Sequence, residues 1–213
     1  MESHKAVTIT KDELAQMPLV QFKGTITVVE TEADAEAAVE DLLRHNVLGF
    51  DTETKPTFKK GKPNNVALMQ VSYESHTYLF RINKLGFTPA IRRFIEADTI
   101  VKVGLSLKDD FFVMHRNHDF SPAGFIDLQD FVKNYGIADA SLQKIFAALF
   151  AQRISKSQRL SNWEAPSLTI GQQHYASIDA WACLKIYNHL TSGQFVPEQS
   201  PFYREIPEQN QNN

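Results

Sequence analysis

The stretch Val47-Leu48-Gly49-Phe50-Asp51-Thr52-Glu53 decides the fold of this sequence. Its first four residues form a short apolar run that includes an aromatic ring, which is typical of a strand covered on both faces and therefore central in a sheet. Two acids follow this run. Side chains two positions apart in a strand point to the same face, so we expect Asp51 and Glu53 to project together at the carboxyl edge of the sheet.

Strand-like and helix-like segments alternate around this stretch. The further predicted strands are 66–73, 76–82 and 100–105, and the polar pair Glu74-Ser75 predicts a hairpin between the first two. Helical spacing of apolar residues predicts helices at 32–45, 89–97, 109–117, 128–135, 142–151 and 171–190. This order predicts an α/β fold, a mixed sheet flanked by helices.

Composition and charge narrow the class of protein. The 213 residues are 43% hydrophobic and 22% charged, which is typical of a soluble globular chain with one core. The formal net charge of −3 argues against a generally cationic surface for coating nucleic acid, although a local basic groove is compatible with it. One cysteine cannot form an internal disulfide, and no apolar run is long enough to span a membrane. We therefore expect a cytoplasmic protein with no membrane contact.

The two ends of the chain differ in composition from the middle. We expect an N-terminal arm at 1–20, a single domain at 21–192, and a polar C-terminal tail at 193–213 that is mobile, because its Pro, Glu, Gln and Asn residues cannot build a core.

Two further acidic positions stand out along the chain. Asp109-Asp110 follows a strand that ends at Gly104, which predicts an acid at the same carboxyl edge. Asp179 and Tyr175 are four residues apart on the last helix, on its apolar and therefore core-facing side. A buried carboxylate there requires a cation.

Each acid also has a simpler interpretation. Asp51 and Glu53 could end a strand in solvent, Asp109 or Asp110 could complement a helix dipole, and Asp179 could pair with a distant arginine. Together, four acids from three segments fit a site for two divalent metal ions that hydrolyses phosphodiester bonds. All-oxygen ligands favour Mg²⁺ or Mn²⁺, and the single cysteine and scattered histidines do not have zinc-site spacing.

These residues resemble the three motifs of the DEDDy 3′-5′ exonucleases, especially the branch that includes the exonuclease domain of the Werner-syndrome helicase, with ribonuclease D more distant. The motifs are Phe50-Asp51-Thr52-Glu53, Val103-Gly104 with Asp110 six residues after the glycine, and Tyr175-x-x-x-Asp179. Further segments support the resemblance: Asn65-Val66-Ala67-Leu68-Met69-Gln70, Ser161-Asn162-Trp163, Leu168-Thr169 and Gln172.

The resemblance implies a ribonuclease H-like fold and a metal-dependent exonuclease. Motif spacing selects Asp110 over Asp109, so the implied ligands of two Mg²⁺ or Mn²⁺ ions are Asp51, Glu53, Asp110 and Asp179. Tyr175 would orient the attacking water with Glu53. The implied substrate is a single-stranded or recessed 3′ end, with DNA preferred over RNA, and the product is a nucleoside 5′-monophosphate. RNA trimming of the ribonuclease D type and a catalytically silent binding module are the alternatives, and targeting would come from protein partners.

His174 offers a second candidate for the water-orienting group, because it lies five residues before Asp179, the spacing of the histidine-using sister group. On a helix, Tyr175, four residues before Asp179, lies about 40° around the axis from Asp179, whereas His174, five residues before it, lies about 140° away. This geometry favours Tyr175.

Basic residues with interleaved aromatics suggest contacts to a single strand. We predict that such contacts come from Lys55, Lys59, Lys60, Lys62, Lys156 and Trp163. Solvated basic loops are the alternative interpretation.

Overall fold

A six-stranded mixed sheet forms the centre of the computed structural model, which describes residues 3–57, 64–116 and 118–207. The strands in these ranges are β1 (Ser3–Val7), β2 (Thr25–Val29), β3 (Val47–Thr54), β4 (Val66–Tyr73), β5 (His76–Phe80), β6 (Val101–Gly104), β7 (Phe125–Asp127) and β8 (Tyr203–Pro207). The α-helices are α1 (Lys11–Gln16), α2 (Glu32–Leu42), α3 (Ile82–Leu85), α4 (Pro89–Glu96), α5 (Leu107–His115), α6 (Leu128–Phe131), α7 (Leu142–Phe150) and α8 (Ile170–Thr191). Short 3₁₀ turns occupy Val132–Tyr135 and Pro197–Gln199.

Strand β3 is central in the sheet, whose order is β2-β5-β4-β3-β6-β7. It pairs antiparallel with β4 and parallel with β6. The predicted hairpin is also confirmed, since β4 and β5 pair antiparallel across Glu74-Ser75, and Glu74 takes a positive φ of 43° in the turn. The predicted mixed α/β architecture is therefore correct.

The two faces of the sheet carry separate apolar layers. On one face, Phe50 and Met69 pack with residues of α2 and α4. On the other face, Leu68 and Leu79 pack with Trp163 and with Ala176 of α8. Because Asp51 and Glu53 alternate with Phe50 along β3, they lie on the α8 side.

Helix α8 begins at a capping box that sets its first turn. The Thr169 hydroxyl accepts the Gln172 N–H at 3.2 Å, and the Gln172 side chain accepts the Thr169 N–H at 3.0 Å. The same Gln172 side chain donates to the Asn162 carbonyl at 3.2 Å, which ties the preceding loop to the helix. None of the helices in the described ranges, α8 included, is long and apolar enough to cross a bilayer.

The chain ends differ from the expected arm and tail. β1 and β8 pair antiparallel with each other, and Val7 and Ile9 are buried. Asp139 accepts the Ile9 N–H at 2.8 Å, so this pair is fastened to the domain. The expectation of an arm outside the core and of a mobile segment through Tyr203–Pro207 is wrong, because each end supplies the hydrogen-bonding partner that the other lacks.

Two strands of the sheet were missed and several helix ends shift. No element was predicted at Thr25–Val29, which is edge strand β2, parallel to β5. Three-residue β7 pairs with β6 and is too short to show a period in sequence. The predicted helix 128–135 is one α turn followed by a 3₁₀ turn.

Candidate active site

Three carboxylates meet at the carboxyl end of β3. Asp51 and Glu53 come from the strand and Asp179 from α8, and a carboxylate oxygen of each lies within 4.8 Å of those of the other two. Asp179 is 7% exposed, so it faces the sheet as its position on the apolar side of the helix predicted. Separate elements thus bring together acids that are 128 residues apart in sequence.

Gly49 allows α8 to approach this strand closely. A Cβ at Gly49 would lie 1.9 Å from the Ala180 carbonyl oxygen, so only glycine fits beneath the helix. Ala180 follows Asp179 directly, and this close crossing is what places Asp179 beside Asp51.

Asp110 lies next to the three-carboxylate cluster. The Thr52 hydroxyl donates a hydrogen bond to its Oδ1 atom. After burial and the charge of Asp179, the charge of Asp110 also raises the pKa of both Asp51 and Glu53. Its neighbour Asp109 is exposed, so the structure turns Asp110, and not Asp109, toward the cluster.

The turn from β6 to α5 that carries Asp110 is held by Asp127. Its carboxylate accepts the backbone N–H groups of Ser106 at 3.1 Å and of Leu107 at 2.8 Å. Ser106 takes a left-handed conformation with φ of 62°, which these two hydrogen bonds to the turn stabilise. Asp127 Oδ1 also accepts the Gln129 N–H at 2.9 Å, which caps the start of α6.

Burial and mutual repulsion dominate the electrostatics of the cluster. Burial, followed by the charges of the neighbouring acids, raises the pKa of Asp51 well above its usual range and that of Glu53 to about 9. Burial also raises the pKa of Asp110 and of Asp179 to about 7. The ion pairs among the described residues involve other acids, and the positive charge of Arg159 lowers the pKa of Glu53.

Such a cluster fits a divalent cation. Closely spaced, partly buried carboxylates that form no ion pair within the described part of the chain are ligands of the type that Mg²⁺ and Mn²⁺ prefer. Asp51, Glu53 and Asp179 have mutual distances compatible with a shared ion, and the charge of Asp110 acts on Asp51.

Tyr175 lies one helical turn before Asp179 and lines the same cleft. Its hydroxyl interacts with Asp179, a contact that lowers the Asp179 pKa against the larger effect of burial. Burial and the three acids around it raise the Tyr175 pKa above its ordinary value, so the phenol stays protonated. His174 is exposed, in agreement with the helical-face geometry.

The acids lie in an open cleft of about 350 Å³. One wall is the start of α7, where Ser141 caps the helix, and the opposite rim carries exposed Lys156 and Arg159. The Gln143 side chain donates to the Ile154 carbonyl at 2.6 Å and joins the two walls.

The predicted nucleic-acid contacts have different outcomes. Lys156 lines the cleft. Lys55 forms a 3.2 Å ion pair with Glu164 at the surface. Lys59, Lys60 and Lys62 lie outside the described residues. The prediction that Trp163 contacts nucleic acid is wrong, because this residue is fully buried. Its ring centroid lies 6.0 Å from that of Tyr175, so the indole supports the site from beneath.

The sequence predicted helix 142–151, which is α7, but it did not place the start of that helix beside the acids, and it missed the groups that hold the acids in place. Ser141 before this apolar helical run is the N-cap signal that marks the start of α7. Thr52 and Asp127 carry no such signal, because their hydrogen bonds join segments that are 58 and 20 or 21 residues apart.

The fold and the acidic cleft define a class of nuclease, and comparison with known proteins agrees. The family model described as 3′-5′ exonuclease matches residues 26–193. The chain belongs to this family, whose members here share the ribonuclease H-like fold of the DEDD exonucleases.

Individual relatives support this assignment. The chain is 32% identical over 185 residues to the mouse bifunctional 3′-5′ exonuclease/ATP-dependent helicase WRN. The aligned region covers 82% of this chain but only 13% of that protein. The Aedes aegypti Nibbler EXO domain superposes with a TM-score of 0.72 at 22% identity, over 84% of this chain and 96% of that domain. Escherichia coli RNase D, described as an exoribonuclease involved in structured RNA processing, gives a TM-score of 0.70 at 20% identity, over 79% and 44%.

Proposed function

We propose that the protein is a metal-dependent 3′-5′ exonuclease that uses Tyr175 to orient water. The observation that carries this proposal is the cluster of Asp51, Glu53 and Asp179, whose carboxylate oxygens lie within 4.8 Å of one another at the base of a cleft. In the reaction, water adds to the 3′-terminal phosphorus and the bond to the neighbouring 3′ oxygen breaks. The products are a nucleoside 5′-monophosphate and a strand shortened by one nucleotide.

The chain's own residues supply ligands and orientation. Asp51, Glu53, Asp110 and Asp179 would hold two Mg²⁺ or Mn²⁺ ions. When bound, such ions supply positive charge that activates an attacking water and offsets charge at the leaving oxygen. Because the Tyr175 phenol stays protonated, it acts by hydrogen bonding to the water and not as a base.

The thiol of Cys183 does not compete with water as the nucleophile. Cys183 lines the cleft and is buried. Burial, followed by the charge of Asp51, raises the pKa of its thiol well above the usual range. A thiol held in the neutral form is a poor nucleophile, so a covalent cysteine route is disfavoured.

We propose DNA as the preferred substrate and RNA as the alternative. The mouse relative combines its exonuclease with a helicase, whereas the bacterial structural neighbour is described as an exoribonuclease. The exposed cations Lys156 and Arg159 on the rim suit the phosphates of either polymer.

Digestion of 3′- and 5′-labelled DNA and RNA oligonucleotides tests this proposal. With Mg²⁺ or Mn²⁺ we expect stepwise shortening from the 3′ end, faster on DNA, and none in EDTA. Asp51→Asn and Asp110→Asn should abolish it, whereas Asp109→Asn, the matched control for an exposed neighbouring acid, should retain it. Hydrolysis that persists in EDTA, or survives Asp51→Asn, would overturn the proposal.

A further inference from the structure

Gln70 is a buried polar residue without an evident structural purpose. Its side chain is fully buried, and neither amide atom has a hydrogen-bond partner among the described residues. Buried side-chain amides are normally paired, because leaving their donors and acceptors unpaired costs stability. A Gln retained in this state therefore calls for an explanation at a functional level.

The strand register places Gln70 directly beside the acidic cluster. In the antiparallel pair of β3 and β4, Gln70 lies opposite Asp51. Opposite residues in such a pair share one face, with Cβ atoms about 5 Å apart. A glutamine side chain is long enough to reach a carboxylate at that distance.

The other positions adjacent to Gln70 on this face do not offer a free acceptor. On the opposite side, β5 places Leu79 next to it. Along its own strand the neighbours are Leu68 and Ser72, and the Ser72 hydroxyl already donates to the His76 carbonyl and accepts from Thr77. Among these neighbours, the Asp51 carboxylate has acceptor capacity to spare, because a carboxylate can accept about four hydrogen bonds and, within the described residues, its donor is the Thr52 backbone N–H.

We propose that Gln70 is a positioning residue for Asp51, and that its amide N–H donates to the Asp51 carboxylate when that group binds a divalent cation. The inference rests on the proposed function. A hydrogen bond from outside the ligand shell fixes the orientation of a metal-binding carboxylate, and loss of such a partner typically weakens metal affinity about 10- to 100-fold. Gln70 thereby acts through Asp51 and touches neither substrate nor the reacting atoms.

Substitution of Gln70 should lower the affinity for metal without lowering the stability of the protein. Gln70→Met keeps the length of the side chain and removes its unpaired polar atoms, so the Tm of the metal-free protein should stay equal or rise. Its affinity for Mn²⁺ alone, measured by calorimetry without nucleic acid, should fall about 10- to 100-fold. Gln70→Leu provides a second variant of the same kind, and the Tm measurement establishes that each variant is folded.

Ser72→Ala is the matched control, because Ser72 is also buried on this face but lies opposite Gly49 and is fully hydrogen-bonded. It should lower the Tm and leave Mn²⁺ affinity unchanged. Wild-type affinity for Mn²⁺ in folded Gln70→Met and Gln70→Leu would overturn the positioning role while leaving the proposed function intact. Absence of Mn²⁺ binding by the wild-type protein would overturn both.

Discussion

The indole of Trp163 packs against the phenol ring of Tyr175, with the two ring centroids 6.0 Å apart and the planes inclined by 38°. Trp163 is fully buried, and it forms an apolar cluster with Leu68 and Ala176. The ring that orients water in the proposed reaction is thus supported from below by a residue that the substrate does not reach.

Replacing Trp163 should therefore affect turnover through Tyr175. We expect Trp163→Leu to lower kcat roughly 10- to 100-fold, because a small displacement of an orienting group is costly in rate. KM for the oligonucleotide should change little, and Trp163→Phe should restore most of the activity. Single-turnover cleavage measured well below the Tm of each variant checks this.

Trp181→Leu provides the control for loss of a tryptophan. Trp181 is also on α8 but packs against Phe22 and Phe146, in a different apolar cluster. Its replacement should lower the Tm with a much smaller effect on kcat. If both variants lost kcat equally at matched stability, the support of Tyr175 by Trp163 would have no special role.

The burial of Trp163 illustrates where sequence reasoning stops. An aromatic residue in a basic segment suggested base stacking, but tertiary contacts decide its exposure. Buried Arg81 donates to the Ala165 carbonyl, and Gln172 donates to the Asn162 carbonyl, so the loop is closed over the ring from two sides. Neither bond leaves a local pattern, since the first joins residues 84 positions apart.

By contrast, the central strand and its acids were predictable because their signals are local. The apolar run that ends at Phe50 and the two-residue spacing of Asp51 and Glu53 fix both burial and direction within one strand. The four-residue spacing of Tyr175 and Asp179 does the same within one helix. The pairing of β1 with β8 joins the two ends of the chain, so no local pattern could reveal it.

The acidic cluster should make the metal-free protein less stable as pH rises. The folded-state pKa is raised to about 9 for Glu53 and to about 7 for Asp110 and Asp179, whereas unfolded carboxyls titrate near about 4. Between about pH 4 and about pH 9 the folded state therefore binds more protons than the unfolded state. The stability that these groups contribute is lost progressively over this range, until the pH has passed the folded-state pKa of about 7 to about 9. We expect the Tm in EDTA to fall from about pH 5 to about pH 9.

Removing one charge should flatten this dependence. In Asp179→Asn, repulsion within the cluster decreases, so the Tm in EDTA should vary less with pH than that of the wild type. Mn²⁺ should raise the wild-type Tm more at about pH 8 than at about pH 6, because the metal binds the ionised carboxylates. A wild-type Tm that is independent of pH across this range would contradict the raised pKa values.

The cations on the cleft rim should govern the salt dependence of substrate binding. Each phosphate contact that is lost lowers the slope of log affinity against log salt by about 1. We expect Lys156→Gln and Arg159→Gln each to weaken binding of a single strand and to reduce this slope, measured by fluorescence anisotropy in Ca²⁺ or with Asp51→Asn. Lys59, Lys60 and Lys62 remain predicted contacts, and a triple alanine variant tests them in the same series.

Arg93→Gln is the control for loss of a surface cation, because Arg93 on α4 is already paired with Glu36 and Glu40 on α2. It should leave both the affinity and the slope unchanged. An equal decrease in all variants would mean that the total charge of the protein, and not the rim, determines binding.

The roles of Tyr175 and His174 can be separated by rate and pH. Tyr175→Phe keeps the ring against Trp163 but removes the hydroxyl that interacts with Asp179, so single-turnover cleavage should slow about 100-fold or more with Mn²⁺ affinity retained. His174→Ala should be mild, because that side chain is exposed on another side of α8. A histidine acting as base would instead produce a rate loss below about pH 6.5, and this inflection would vanish in His174→Ala. Near-normal cleavage by Tyr175→Phe together with an inactive His174→Ala would assign the water-orienting role to the histidine, and would require α8 to rotate from the orientation that now directs Tyr175 and Asp179 into the same cleft.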